Sequence, residues 1–158
     1  NVVSNPLINI TLQGRHDTYP KRRGMTRVPE MMGIGIKVAF GHDCVMDPWY
    51  SLGSADMLEV ASMGLHVAQL TGVEQMKSCF RAVTEIPAAI LGLEGYGLEK
   101  GCNADLVILQ AVDPVEALRL KANRLFVIRR GRIISSSAPV EAELNLPGRP
   151  KIQNYLFQ

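Results

Sequence analysis

The chain has 158 residues, of which 47% are hydrophobic and 20% charged, and its net charge at pH 7 is +2. This length allows one domain with a sizeable core, and the composition is ordinary for a soluble globular protein. The small charge, with no basic cluster interleaved with aromatic residues, argues against a nucleic-acid partner, and no apolar run approaches the roughly 18 residues of a membrane span.

The cysteines are Cys44, Cys79 and Cys102, and no two of them have C-x-x-C spacing. An odd number without that spacing argues against a disulfide scaffold and against a zinc knuckle. It is typical of a reducing compartment, so we expect a cytoplasmic protein. The chain begins without Met or a signal peptide, inside an expected strand, and we interpret it as a piece of a longer protein.

The first predicted elements form a β-α-β unit with parallel strands. Residues 1–4 form a short strand, which ends before Pro6 because proline cannot donate a hydrogen bond to a neighbouring strand. Residues 11–25 are polar and contain glycine and proline, so they form a long loop of a kind that is often functional. A short helix, capped by Thr26 and closed by Gly33, then leads to the second strand.

That second strand, residues 34–40, is the element around which the chain is organised. Large apolar side chains alternate with smaller or polar ones, which is the period of a strand. Gly41 breaks the strand, and Asp43 follows at its carboxyl end, where parallel α/β folds collect ligands and catalytic groups. A carboxylate there could bind a metal or move a proton. The alternative is that Asp43 only caps a turn, as aspartate often does.

Helical periodicity follows the strand. Apolar residues at spacings of three and four predict a helix over residues 55–70. A second helix, opened by a capping-box pattern at Thr71, runs to about Ala82, and a third covers residues 85–91. We interpret His66 as a histidine at the edge of the core, because it has no partner at metal-ligand spacing.

The remaining chain is rich in turns and strands. Residues 106–109 form a short apolar strand, and Asp113 with Pro114 begins a helix that runs to about Leu120. Residues 125–128 and 132–134 form a hairpin with glycine in its turn. From Ser135 onward prolines favour an extended tail, and its last apolar residues should pack against another surface. Those residues are Tyr155, Leu156 and Phe157.

Four stretches of the sequence are specific enough to indicate a family. They are S-N-P-L-I-N-I with L-Q-G-R and D-T-Y-P-K-R-R-G (4–10, 12–15 and 17–24), F-G-H-D with D-P-W-Y (40–43 and 47–50), M-L with M-G-L-H-V (57–58 and 63–67), and G-L, G and N-A-D-L-V-I-L (97–98, 101 and 103–109). On these residues the sequence resembles the bacterial cytosine deaminase branch of the amidohydrolase superfamily. The first two stretches are narrow markers of that branch, whereas the fourth marks only the superfamily.

The resemblance implies an α/β fold: the C-terminal part of a (β/α)8 amidohydrolase barrel, with its last two strands and outer helices, plus strands of a small β-sandwich. Residues 1–96 would be the partial barrel, with the seventh and eighth strands near residues 1–5 and 34–41. Residues 97–137 would return to the β-sandwich, and residues 138–158 would form the extended tail.

The resemblance also implies the site. Asp43 matches the aspartate that contacts the metal-bound water and shuttles its proton, so it is expected to be both catalytic and a metal ligand, with Fe or Zn as the divalent cofactor. Trp49 matches a tryptophan that lines the pyrimidine pocket. Cys44 stands at the pocket mouth where these deaminases usually carry a second aspartate, so it is a substrate-binding residue that leaves the exact base open. The implied reaction converts cytosine to uracil and ammonia.

The site is incomplete within this sequence. Its histidines are His16, His42 and His66, with no His-x-His pair, and metal sites use about three protein ligands. His42 should point away from Asp43, because neighbouring side chains alternate, and a structural role is expected for it. We therefore expect the full-length protein to be the enzyme and this chain alone to be inactive and free of metal.

Two alternatives remain open at this point. The substrate could be another nitrogen heterocycle, such as isoguanine or an aminotriazine, or the chain could be a non-catalytic assembly module. Under the first interpretation the partner is a small nitrogen heterocycle. A homo-oligomer is also expected, because two barrel strands alone would leave open edges.

Overall fold

The computed structural model describes residues 1–22 and 24–149, and the chain divides into two compact units, Asn1–Glu94 and Gly95–Gln158. Within those described ranges, no helix is both long enough and apolar enough to cross a membrane. Both units combine helices with strands, so the expected mixed α/β class is confirmed.

The first unit contains two strands and five helices in its described residues. They are β1 (Val2–Ser4), α1 (Pro6–Leu12), α2 (Val28–Gly33), β2 (Val38–Phe40), α3 (Met57–Val67), α4 (Val73–Arg81) and α5 (Glu85–Ile90). Strands β1 and β2 pair in parallel, with Val2 opposite Val38 and Ser4 opposite Phe40. The predicted β-α-β unit is confirmed, and both strands end at the same edge of the sheet.

Strand β2 is buried along its full length, since each of its three residues is at most 2% exposed. Helix α3 packs against it with so little space that a Cβ atom added at Gly64 would lie 2.7 Å from the Phe40 ring. Leu58, Val60, Ala61 and Leu65 of α3 are buried with it. The strand end is therefore set on a rigid core.

The prediction of a strand over residues 34–40 was too long. Ile34 is the C-cap of α2 and is 77% exposed, and Gly35 adopts φ +81°. The amide of Ile36 then donates to the carbonyl of Met31 at 2.9 Å, which closes the helix end around a left-handed glycine. The alternating residues before Val38 thus end a helix, which stops at Gly33 as predicted, although the left-handed glycine is Gly35.

Helix α1 was missed, and several helix starts were misplaced. Pro6 does end the strand, but it also occupies the first turn of α1, a position that proline favours. The N-caps are Arg27 and Gly72 instead of Thr26 and Thr71, and the N-cap of α3 is Asp56, whose carboxylate accepts from the Leu58 amide at 2.7 Å. Short polar residues near a helix start do not by themselves select the cap.

The second unit contains β3 (Leu106–Leu109), α6 (Pro114–Leu120), β4 (Arg124–Arg129) and β5 (Arg132–Ser136). The three strands form an antiparallel sheet in the order β3-β4-β5. The predicted helix is confirmed, with Asp113 accepting from the Glu116 amide at 2.8 Å, and so is the hairpin, whose turn residues Arg130 and Gly131 both have positive φ. Strand β5 extends past Ser135, and residues 155–157 lie outside the described residues.

Candidate functional site

Asp43 lies where the two parallel strands end, on a backbone with φ +66°, and its side chain is exposed. Its Oδ2 accepts a hydrogen bond from Nδ2 of Asn5, the residue that follows β1, at 2.8 Å. Its Oδ1 accepts a longer contact from the Cys44 thiol at 3.4 Å. The carboxylate therefore joins the end of β1 to the end of β2.

The turn-capping role that aspartate often takes belongs to Asp47. Its Oδ1 accepts hydrogen bonds from the backbone amides of Trp49 and Tyr50, both at 2.9 Å. The hydrogen bond from the Cys44 thiol, and after it the two backbone amides, hold the pKa of the Asp47 carboxyl below its usual value. A fixed anion therefore organises the loop that follows Asp43.

Trp49 and Tyr50 are neighbours on this loop, but their side chains differ in exposure. Tyr50 is buried at 5% exposure, whereas Trp49 is 68% exposed and presents its indole to a ligand or to solvent. Among the described residues, Asp43 and Cys44 touch each other, while Trp49 is connected to them through the Asp47 turn.

Cys44 is a thiol between two carboxylates. Hydrogen bonding to Asp47, then burial and hydrogen bonding to Asp43, raise the pKa of Cys44 to about 12. A negative charge on sulfur would be repelled by both acids, so the group is protonated at neutral pH and acts as a donor. This differs from the carboxylate that the resemblance places at this position.

His42 is buried, in contrast to the exposed Asp43 that follows it. Its Nδ1 lies 2.9 Å from the carbonyl oxygen of Cys44, and because a carbonyl only accepts, Nδ1 carries the proton. Its Nε2 is buried without a hydrogen bond, and Glu59 Oε2, at 4.0 Å, is too distant to supply one. His42 thus fixes the backbone around Asp43.

The described part of the chain does not fit a complete metal site. In residues 1–22 and 24–149, no group of three or more His, Cys, Asp or Glu side chains could hold a metal ion. Asp43 can supply one carboxylate ligand, and a catalytic site needs about three protein ligands. A concave space of about 460 Å³ lies instead along the loop from His16 to Arg22, which contains none of the predicted site residues.

Sequence reasoning missed Asn5 and the capping role of Asp47. The signal for Asn5 was present, because a residue that directly follows one parallel strand emerges at the same sheet edge as the residues that follow its neighbour. Asp47 opens an Asp-Pro dipeptide, and such dipeptides favour turn initiation.

Residues 1–137 match the family model described as "Amidohydrolase family". The chain is 33% identical over 147 residues to a pterin deaminase of Rhizobium rhizogenes, covering 92% of this chain and 33% of the relative. It is also 33% identical over 108 residues to N-isopropylammelide isopropyl amidohydrolase of a Pseudomonas species, covering 68% of this chain and 27% of that protein.

Solved structures give a similar result. A 5-methylcytosine deaminase from Klebsiella pneumoniae, liganded with 5-fluorocytosine, has a TM-score of 0.85 and 39% identity over 94% of this chain and 36% of that one. The same enzyme liganded with phosphonocytosine has a TM-score of 0.81 and 41% identity over 86% of this chain and 33% of that one. The chain spans about a third of the length of these relatives.

Proposed function

We propose, since the chain belongs to the amidohydrolase family, that it is part of a deaminase that hydrolyses cytosine to uracil and ammonia. The observation that carries the proposal is the position of Asp43, an exposed carboxylate held between the ends of two parallel strands. The substrate class is supported by the structures of a 5-methylcytosine deaminase liganded with cytosine analogues.

Asp43 is the proposed proton carrier of this reaction. Water adds to C4 of cytosine, the C4–N bond to the amino group breaks, and ammonia leaves while a carbonyl forms. A carboxylate at the site accepts a proton from the attacking water and later delivers it to the departing nitrogen. Its exposed position at the carboxyl end of a rigid strand is where such a group can reach a substrate.

The fold proposed for the full-length protein is a (β/α)8 barrel with a small β-sandwich, to which this chain contributes the last two barrel strands, their helices and part of the sandwich. A divalent ion, Fe or Zn, is the proposed cofactor, and such ions lower the pKa of bound water. Asp43 would be the ligand from this chain, with the others contributed from outside it. The chain alone is therefore proposed to be inactive, and the full-length enzyme to be a cytoplasmic homo-oligomer.

Trp49 and Cys44 are the proposed substrate contacts. The exposed indole of Trp49 can stack on a flat heterocycle. Cys44 offers a neutral thiol where a carboxylate would be charged, and an apolar ring substituent is tolerated better beside a neutral group, because burying a charge costs more. A methyl group at C5 of cytosine is such a substituent, so 5-methylcytosine is the second substrate that this site favours.

A different nitrogen heterocycle is the competing proposal, because the chain is as similar in sequence to a pterin deaminase as to an N-isopropylammelide amidohydrolase. Isoguanine and aminotriazines belong to the same chemical class. Position 44 is where we expect enzymes with these different heterocyclic substrates to differ.

The experiment supplies the full-length, metal-loaded enzyme with cytosine, 5-methylcytosine, isoguanine, pterin and N-isopropylammelide, and measures release of ammonia or amine. We expect the highest kcat/KM for cytosine or its 5-methyl derivative. The variant Cys44→Asp should lower kcat/KM for 5-methylcytosine more than for cytosine. A clear preference for pterin or the triazine would replace the proposed substrate, and no release from any of them would remove the proposed reaction.

A further inference from the structure

We propose that Asn5 is a positioning residue for this reaction, which orients the Asp43 carboxylate from the neighbouring strand end. The inference rests on the proposed function of Asp43. The observation behind it is one hydrogen bond, from Asn5 Nδ2 to Asp43 Oδ2 at 2.8 Å, between residues that are 38 positions apart in the sequence.

The Asn5 side chain makes this bond instead of the capping hydrogen bond that is usual at its position. It is the N-cap of α1, where an asparagine side chain normally accepts a hydrogen bond from a backbone amide of the first helical turn. No side-chain capping bond forms here, although the backbone carbonyl of Asn5 does accept from the Asn9 amide at 3.0 Å. A side-chain cap of this kind normally stabilises a helix, and here the Asn5 amide is instead turned toward Asp43.

The surrounding backbone makes room for the amide. A Cβ atom added at Gly41 would collide with Oδ1 of Asn5 and would lie 3.1 Å from a methyl group of Val3. The Gly41 amide itself donates to the carbonyl of Ser4 at 2.9 Å, which holds the two strand ends together. Glycine at position 41 therefore allows Asn5 to lie flat across the sheet edge and reach Asp43.

The bond distinguishes the two oxygens of Asp43. Oδ2 is anchored by a charge-assisted hydrogen bond, which is among the stronger kinds. Oδ1 receives only the thiol of Cys44 at 3.4 Å, which is a weak donor. An exposed side chain would otherwise move between rotamers, and the anchored oxygen restricts it to one. Oδ1 is thus the oxygen left to exchange a proton with substrate and water.

The test uses the full-length, metal-loaded enzyme with Asn5→Leu, which removes the donor at similar volume. We expect kcat to fall about 10- to 100-fold, as for other residues that orient catalytic groups, while KM changes less than about twofold. Asn5→Asp should be worse, because it places a second carboxylate against the first. Asn9→Leu, one turn further along α1, is the matched control and should keep the wild-type kcat.

Gly41→Ala tests the same bond without replacing either partner. The added methyl group should displace the Asn5 amide and lower kcat as much as Asn5→Leu does. The double variant Gly41→Ala/Asn5→Leu should be no worse than either single variant, because both remove one interaction. Fully additive losses would show that Gly41 acts elsewhere and would count against the proposal.

A spectroscopic measurement is independent of turnover. In protein labelled with 15N at asparagine, the Asn5 side-chain amide should have a shifted resonance that moves in Asp43→Ala and stays in Asn9→Leu. Wild-type kcat in Asn5→Leu, or an Asn5 resonance indifferent to Asp43→Ala, would overturn the positioning role alone. A full-length protein without deaminase activity but with the shifted resonance would instead overturn the proposed function, and the positioning role with it.

Discussion

The ring of His42 and the backbone of Gly53 are packed in direct contact. Gly53 adopts φ +92°, and a Cβ atom there would lie 2.5 Å from Cε1 of His42. Gly53→Ala should therefore lower the free energy of unfolding by more than the roughly 1 kcal/mol expected from backbone strain alone. Gly92→Ala is the control, since Gly92 has φ +65° with no atom near its added Cβ.

Thermal unfolding of the two variants in the full-length protein measures the difference. Gly53→Ala should have the lower Tm, because the His42 ring must move and weaken its contact with the Cys44 carbonyl. Equal Tm values would show that this loop yields without disturbing His42.

Cys79 gives a prediction about pH. It is fully buried in α4, and burial raises the pKa of its thiol from 9.0 to about 11. Because the folded state holds this proton more tightly than the unfolded chain, the contribution to stability is complete below pH 9 and is lost as the pH rises toward 11. It amounts to at most about 3 kcal/mol.

Urea unfolding of the wild type and of Cys79→Ala at pH 8 and pH 10.5 isolates this contribution. The variant should be less stable at pH 8 but should lose less stability on going to pH 10.5. Parallel losses in both proteins would mean that the thiol does not titrate differently on folding.

The site residues that could be predicted from sequence are those carried by local patterns. Asp43, Cys44 and Trp49 follow one strand, so a single stretch of sequence places them together. Asn5 could not be assigned a role in that way, because its partner is 38 residues distant and its own position indicates only the end of a strand before proline. Cross-strand contacts of this kind depend on register, which the sequence indicates only after the pairing is known.

The contact between helix α3 and strand β2 reverses the usual effect of a glycine-to-alanine substitution on stability. Replacing glycine by alanine inside a helix usually stabilises it by about 1 kcal/mol. At Gly64 the added methyl group would lie within 2.7 to 3.1 Å of the Phe40 ring, so Gly64→Ala should destabilise the protein instead. Gly33→Ala, in α2 with open space around it, should be neutral or stabilising.

The pair of variants is compared by Tm under one condition. A fall for Gly64→Ala together with no fall for Gly33→Ala would support the described packing of α3 on β2. A gain in Tm for Gly64→Ala would contradict it.

Elements with strong local signals could be predicted, and those decided by longer-range geometry could not. The helix start at Asp113 with Pro114 is indicated by its own residues, and so is the hairpin turn at Gly131. Both formed as expected. The strand over 34–40 was drawn too long, because apolar alternation also occurs where Ile34 and Ile36 close the end of α2. Helix α1 has seven residues, several of them β-branched, and its periodicity was too brief to recognise.

The family could be recognised because its motifs are short, contiguous and distributed along the chain. The resemblance to cytosine deaminases is confirmed by the amidohydrolase match over residues 1–137 and by the 5-methylcytosine deaminase structures at 39% and 41% identity. The closed barrel and the sandwich belong to the proposed full-length protein, because this chain spans about a third of the length of its relatives.

The same reasoning predicts the behaviour of this chain by itself. Since residues 1–22 and 24–149 hold no cluster of three metal-ligating side chains, the purified chain should retain much less than one equivalent of Zn or Fe after dialysis. It should also release no ammonia from cytosine. Stoichiometric metal, measured by elemental analysis, would mean that this chain builds a site of its own.

The central claim is that Asp43 carries the proton in a deamination, and one kinetic comparison tests it most directly. Asp43→Asn in the full-length, metal-loaded enzyme keeps the size of the side chain but removes its basicity. The control Asp113→Asn makes the same change at the N-cap of α6, where asparagine is an equally good cap. With cytosine as substrate, we expect kcat to fall about 100- to 10,000-fold for Asp43→Asn and to stay at the wild-type value for the control. A kcat for Asp43→Asn within a few-fold of the wild type would contradict the account.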